Sequence, residues 1–429
     1  MRKYTILIAA VAAFGGLLFG FDTAVIAGTL PSLRAFFRLD DTTIGLVVAA
    51  AAIGSIPGAL LSGRLSDRYG RKKIMLLTAI LFIIAGAGSG IATSITELVI
   101  YRVIGGMAIG LASALAPVYI SEVSTPAYRG RLGMLQQLAI VVGILCSFIS
   151  NYLIGVPHWH LMLGAAVIPA VVFFLLLMLV PESPRWLLMQ HRVEEAKAIM
   201  TRLYDTYEIP TTSQRPATTL KEVFASRYRK VVIIGIVFAS IAHLTGINII
   251  FYYAPLIFEK TKMGGTELFQ TMLTGIANLI FTIMAFWLID RVGRKKLLLA
   301  GSIFMSACML VVAWLFYTNH LGNYFVLIAV FLYIGGFACT WGAVLWVYIA
   351  EMFPDSIRGS ATAVAAFGNW TMNAVISFTF PVLLAKLGPA PTFLLYALFN
   401  AGMVWFVSRY IFETKGVPLE KVEELYHTI

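Results

Sequence analysis

About twelve apolar stretches, each roughly 20 residues long, follow one another through the 429 residues of this chain, and helices of that length can cross the hydrocarbon core of a bilayer. No other feature narrows the fold as far. Backbone N–H and C=O groups in lipid must pair within the protein, which leaves helices as the way across for runs of this kind. The expected spans are 5–30, 43–63, 74–93, 97–120, 132–154 and 161–181, then 231–257, 269–289, 297–317, 324–350, 360–385 and 390–411. With 59% hydrophobic and 12% charged residues, the chain carries more apolar surface than a soluble fold of its length can hide. It reads as an all-α integral membrane protein. The opening Met-Arg-Lys before apolar residues has the look of a signal peptide, but the run is too long and contains Asp22, so an uncleaved first span is expected. Cys146, Cys308 and Cys339 all fall inside spans, so neither a disulfide framework nor a metal site is expected.

The formal net charge of +11 would suit a nucleic-acid partner, but its distribution points elsewhere. Of the 32 Lys and Arg, Arg102 alone lies well inside a span, and only Arg34, Arg38, Lys260, Lys262 and Lys386 lie near odd-to-even loops. The others lie at the termini or near even-to-odd loops, which is the positive-inside pattern and implies that both termini are cytoplasmic. The charge reports topology, and no nucleic acid is expected.

Residues 182–230 form the long polar segment of the chain, with EEAKAIMTRLY reading as a short amphipathic helix and TTSQRPATTL as a loop. They divide a first six-span unit, 1–181, from a second, 231–412, which a tail, 413–429, follows. Charged phrases recur across that divide. SDRYGRKK returns as IDRVGRKK, pairing Asp67 with Asp290; SEVSTPAYRG returns as AEMFPDSIRG, pairing Glu122 with Glu351 and Arg129 with Arg358. PESPRWL is echoed by FETKG, pairing Glu182 with Glu413. Three phrases in the same order at nearly constant separation mark a duplicated six-helix unit. An even-numbered repeat keeps its orientation, so the halves form two pseudo-symmetric bundles related by an axis along the membrane normal, as in the major facilitator fold. A substrate site is then expected near midplane between the halves.

These phrases resemble the sugar porter family of the major facilitator superfamily over essentially the whole chain. The resemblance rests on GRLSDRYGRKK, YRVIGGMAIGLASALAPVYISEVSTPAYRG, PESPRWL, GIN with YYAP, DRVGRKK, WG and W before AEMFPDSIRG, and ETKG. FGFDTAVIAGT and YRVIGG are most similar to bacterial D-xylose:proton symporters and related proton-coupled sugar carriers. The resemblance implies a multi-pass protein of the inner (plasma) membrane that carries a monosaccharide and a proton, works as a monomer and needs no cofactor.

Several residues can be placed in roles on chemical grounds. Arg64, Asp67, Arg71, Glu122, Arg129, Glu182 and Arg185, with Asp290, Arg294, Glu351, Arg358 and Glu413 in the second half, can form salt bridges from one half to the other that hold the cytoplasmic side shut. Topology alone needs no carboxylates, which is why the glutamates stand out; for the lysines and Arg71, setting topology is as good an account. GGMAIG follows no strand and sits in an apolar span, so it reads as close helix packing and not as a nucleotide loop.

Asp22 and Arg102 are ionisable groups well inside spans, where each costs about 2.5–3.5 kcal/mol and usually faces a cavity or a partner. They have opposite sign and similar expected depth, so they can pair. The plain alternative is a static salt bridge joining two helices. Resemblance to proton-coupled carriers implies that Asp22 is the protonation site and Arg102 its conformation-dependent partner.

An uncharged, hydroxyl-rich sugar calls for carboxamides and aromatic faces. Gln136 and Gln137 open the fifth span, and by the family pattern Gln137 faces the pore. Asn248 and Tyr252 share a face of the seventh, which Gly246 and Pro255 weaken as an outer gate. His243, Asn278, Trp341, Trp346, Asn369 and Trp370 follow in later spans or beside these, and Phe19 stands one turn before Asp22. The chain departs from the family at Ala242 and His243, where two glutamines are usual, at Ala343 and Phe412, where prolines are usual, and at His160, where arginine is common. His243 can replace one lost hydrogen bond or add a titrating group. The leading expectation is a proton-coupled symporter of a pentose or hexose. A facilitative sugar or polyol uniporter and a non-transporting sugar sensor are the alternatives. An enzyme is the least expected, since no nucleophile, base and orienter stand at usable spacing.

Overall fold

The structure, a computed structural model, describes residues 3–124, 126–203, 220–259, 266–321, 324–354 and 357–415; the side chains of 126, 127, 129–131, 220, 221 and 290 lie outside that description. Among the described residues there are helices and no strands, and twelve helices are long and apolar enough to cross a membrane. In chain order they are Lys3–Phe37, Asp41–Tyr69, Arg71–Ile91, Ile95–Val123, Leu132–Ile154, Trp159–Met178, Ser226–Phe258, Glu267–Ile289, Arg294–Tyr317, Phe325–Met352, Arg358–Leu387 and Pro389–Tyr410. The twelve expected spans are all present. Several helices outrun them, because hydropathy detects the apolar part of a helix and not its polar ends. The first continues to Phe37 through PSLRAFF, with Pro31 inside it.

Local chemistry sets many helix ends. Ser94 Oγ accepts the Glu97 N–H at 3.3 Å while Glu97 Oε2 accepts the Thr93 N–H at 2.8 Å, a reciprocal cap that starts the fourth span. Thr266 Oγ1 caps the eighth by accepting the Phe269 N–H at 3.2 Å. Three spans are broken. The sixth interrupts its helix between Gly164 and Val167, the tenth at Thr340, and the seventh at a 3-10 turn, Ala242–Thr245, that ends on Gly246 with φ +94°. The carbonyl freed at Thr245 accepts from Tyr333 Oη at 2.7 Å and Asn400 Nδ2 at 3.0 Å, so the break is held by buried partners.

The chain forms two compact units, Met1–Ser32 with Ala50–Gln214, and Leu33–Ala49 with Arg215–Ile429. The division differs from the one expected, because the end of the first span and the start of the second belong to the second unit. There Gly45 lies so close to the Phe378 carbonyl that a methyl would overlap it. In the first unit, a methyl on Gly20 would overlap the Ile140 carbonyl of the fifth span, and one on Gly106 the Ala51 carbonyl of the second. GGMAIG is thus a packing surface, as small residues let transmembrane backbones approach. The expected amphipathic helix is Val193–Leu203, which buries Ala196 against Trp186 and Leu187; its last carbonyl accepts from Thr5 Oγ1 at 2.7 Å. The stretch TTSQRPATTL, apart from Leu220, lies outside the described residues.

Candidate functional site

The buried acid of the first span lies in the first unit. Asp22 and Arg102 are both buried, 6% and 2% exposed, and Arg102 Nη1 donates to Asp22 Oδ2 at 3.1 Å and to the Asp22 main-chain carbonyl at 2.9 Å. The grip is one-pronged: one guanidinium nitrogen carries both bonds, and Nε has no hydrogen-bond partner among the described residues. Gly105, one turn on from Arg102, makes room for the carboxylate. A methyl there would sit 3.2 Å from Asp22 Oδ2 and 3.2 Å from Ala85 Cβ. Sequence reading took Gly105 only as packing; its spacing from Arg102 was the available signal.

Phe19 and Gln137 are half-buried. Gln136 is the more buried of the two glutamines, and its carboxamide has no hydrogen-bond partner among the described residues; a methyl on Gly16 would come within 2.8 Å of its nitrogen.

In the second unit a chain of polar side chains links the seventh and eleventh spans. Asn248 Nδ2 lies 2.8 Å from His243 Nδ1 and 2.8 Å from Asn373 Oδ1, which also accepts from Ser377 Oγ at 3.1 Å. Asn369 Nδ2 donates to the Ala239 carbonyl at 2.8 Å. Asn373 was missed in the sequence, though it stands four residues after Asn369 and so on the same face. Tyr252 and Trp370 are buried, as is Asn278, which takes no part in this chain of bonds. The two tryptophans of the tenth span differ sharply. Trp341 is fully buried, donating Nε1 to Ser302 Oγ at 2.9 Å, whereas Trp346 is 41% exposed.

The charged phrases assemble at one end of each unit, and here the geometry departs from the expected bridges. Arg71 grips Glu122 with both prongs, Nε to Oε2 at 2.9 Å and Nη2 to Oε1 at 3.0 Å, while Nη1 meets Asp67 Oδ1 at 2.9 Å. Arg294 grips Glu351 likewise, at 3.1 and 2.9 Å. Each pair closes within its own unit, because a tight glycine turn starts one span beside the end of another. Among the described residues Glu182 and Glu413 bind no guanidinium. Glu182 Oε1 accepts the N–H groups of Arg71 at 2.9 Å and Lys72 at 3.1 Å, and Glu413 accepts those of Arg294 at 2.9 Å and Lys295 at 3.1 Å. They cap the positive ends of the third and ninth spans. Gly70 and Gly293, both at φ +100°, bring those ends against the carboxylates. Arg64 and Arg185 are exposed and join neither cluster among the described residues; Arg358 donates Nε to the Phe353 carbonyl at 3.1 Å. The side chains of Arg129 and Asp290 lie outside the described residues.

A multi-pass membrane protein in two repeated units, with a buried acid and guanidinium in one and a ladder of carboxamides in the other, has the architecture of a major facilitator transporter. The family model described as sugar (and other) transporter matches residues 8–426, and the chain belongs to that family. It is 37% identical to a glucose transport protein of Synechocystis, over 98% of this chain and 97% of the relative. An arabinose-proton symporter of Bacillus subtilis is 35% identical over 99% and 95%. The xylose transporter XylE of Escherichia coli, solved in an inward open conformation, superposes with a TM-score of 0.86 at 35% identity, covering 98% of this chain and 100% of that one.

Proposed function

We propose that the protein is a proton-coupled symporter of a monosaccharide, a pentose or a hexose, that works by alternating access. The observation that carries this is the Asp22–Arg102 pair, buried in membrane-crossing helices and joined through a single nitrogen. A cation at this distance favours the ionised carboxylate; withdrawn, it leaves a dry site that favours the neutral acid. Because Nη1 also holds the Asp22 carbonyl, taking up a proton costs one of two bonds and leaves the two spans tied. A forked pair would not release so readily. Relatives that carry glucose, and arabinose with a proton, support the same reading.

In this reading Gln137, Asn248, Asn369 and Trp346 contact the sugar, with Phe19, Tyr252, Asn278 and Trp370 lining the route. A single chain is the working unit. The distribution of Lys and Arg supports cytoplasmic termini and a cytoplasmic position for the two charge clusters.

The test is uptake into proteoliposomes with and without an imposed pH gradient. Asp22→Asn is expected to abolish uphill accumulation while sugar exchange continues. If the variant still concentrates sugar, the assignment of Asp22 fails; if the natural chain ignores the gradient, it is a uniporter.

A further inference from the structure

We propose that Gly301 and Ser302 of the ninth span are positioning residues that fix the break in the tenth span, and with it the direction in which the second half of that span carries Trp346 to the substrate. The proposal rests on the sugar-carrier reading, in which Trp346 contacts the sugar.

The tenth span's own residues do not account for a break where one occurs. Its halves are Phe325–Cys339 and Trp341–Met352, and Thr340 between them stands at φ −127° and ψ −89°, outside the helical range. Helices kink at proline, at glycine or where a side chain enters the hydrogen-bond ladder. Residue 343 is alanine, and Gly335, Gly336 and Gly342 all lie inside the helical halves. Thr340 does enter the ladder, giving its hydroxyl hydrogen to the Gly336 carbonyl at 2.6 Å. Yet Thr78, Ser302 and Thr371 make the same bond at 2.8 Å to the carbonyl four residues back, and the helices that hold them run on unbroken.

Thr340 differs from these in what faces it. A methyl on Gly301 would overlap Thr340 Oγ1 and stand 2.6 Å from its Cβ and 3.0 Å from its Cγ2, so the ninth span receives Thr340 in a notch that glycine alone leaves open. The next residue, Trp341, is fully buried and donates Nε1 to Ser302 Oγ at 2.9 Å, while Ser302 gives its own hydrogen to the Leu298 carbonyl. An indole N–H can only donate, so the direction of both bonds is fixed. Phe238 of the seventh span stacks on the same indole with ring centroids 5.3 Å apart. At its far end the second half meets the ninth span again, through the fork of Arg294 on Glu351. Trp346 stands five residues from each tie, on a short helix held at both ends by one neighbour. The ninth span therefore sets where Trp346 points.

The test compares sugar-uptake kinetics and thermal unfolding of the full-length protein. Gly301→Ala is expected to raise KM about tenfold with little change in maximal rate. Adding Thr340→Gly, which removes the atoms the methyl would meet, is expected to return KM to within about threefold of the natural value. A residue that merely holds the fold together would lower the melting temperature and the maximal rate at constant KM, and that pattern in Gly301→Ala overturns the proposal. Should Gly301→Ala fail to fold, Ser302→Ala decides. It strands the buried indole N–H and is expected to raise KM about fivefold; an unchanged KM overturns the proposal. Melting temperatures read the contact without transport: Gly301→Ala is expected to cost less in the Thr340→Gly chain than in the natural one, and equal costs overturn the proposal. If the natural chain takes up no sugar, the carrier reading fails while the melting temperatures still report the contact. If it takes up sugar and both variants keep its KM, the role of the ninth span fails and the carrier reading stands.

Discussion

At one end of the first unit Arg71 holds Glu122 in a fork, Glu182 caps the third span, and Gly70 supplies the turn; in the second unit Arg294, Glu351, Glu413 and Gly293 repeat the arrangement bond for bond. Midway along the spans the units share nothing of the kind. The first has a lone acid on a single guanidinium nitrogen, the second a ladder of His243, Asn248, Asn373 and Ser377. Duplication preserved the ends, whose geometry every short glycine turn needs, and left the middles to diverge toward different chemistry, a charge in one and carboxamides in the other.

The likeness of the ends is itself incomplete. The side chains of Arg71 and Glu122 are 6% and 4% exposed, those of Arg294 and Glu351 12% and 24%. Removing one partner of a buried pair strands the other, so Glu122→Gln is expected to cost about 3–5 kcal/mol. Glu351→Gln, with water near its partner, is expected to cost about 1.5–3 kcal/mol. Thermal unfolding in one detergent compares them directly, and equal losses would mean that burial does not distinguish the clusters.

The glycine turns sharpen the comparison at the next level. At φ +100° alanine is strained, by about 1–3 kcal/mol, at both Gly70 and Gly293. A methyl at Gly70 would overlap Glu182 Oε2, while at Gly293 the nearest carboxylate oxygen is 2.7 Å away. Gly70→Ala is therefore expected to be the worse of the two by the same unfolding measurement, and the reverse order would show that Glu182 yields more easily than Glu413.

The smallest effect concerns one hydrogen bond whose sense is reversed. Tyr119 Oη donates to the Pro181 carbonyl at 2.7 Å, whereas Tyr348 Oη accepts the Phe412 N–H at 3.2 Å, a donor that proline could not supply. Phe412→Pro, which restores the family's usual residue, is expected to lose about 1 kcal/mol, and Tyr119→Phe a similar amount. If Phe412→Pro leaves the melting temperature unchanged, the Tyr348 bond carries no net weight.

Much of this could be read from the residues. Apolar run length delivered the twelve helices, and the recurring charged phrases delivered the repeat. Opposite sign and similar depth were enough to bring Asp22 and Arg102 to one another. The direction of the Arg71 and Arg294 forks was not legible, because a string of charges does not say whether an arginine turns to its own unit or away from it. Glu182 read as an ion-pair partner for the same reason: its partners among the described residues are main-chain N–H groups, which every residue but proline has and no motif announces. Trp341 and Trp346 read alike, and only packing separates the one bonded to Ser302 from the one left exposed.

The sequence alone determined that the chain lies in a membrane, how many times it crosses and that it is built twice, since these follow from the length of apolar runs and the repetition of phrases, both properties of the string. Tertiary structure decided which atom bonds which: that Arg102 holds Asp22 by one nitrogen, that Glu182 and Glu413 cap helices, that His243 turns toward Asn248. Such choices depend on distances of a few tenths of an ångström between residues far apart in the chain, and hydrogen bonds are short-ranged and directional, so nothing short of the packed fold can settle them.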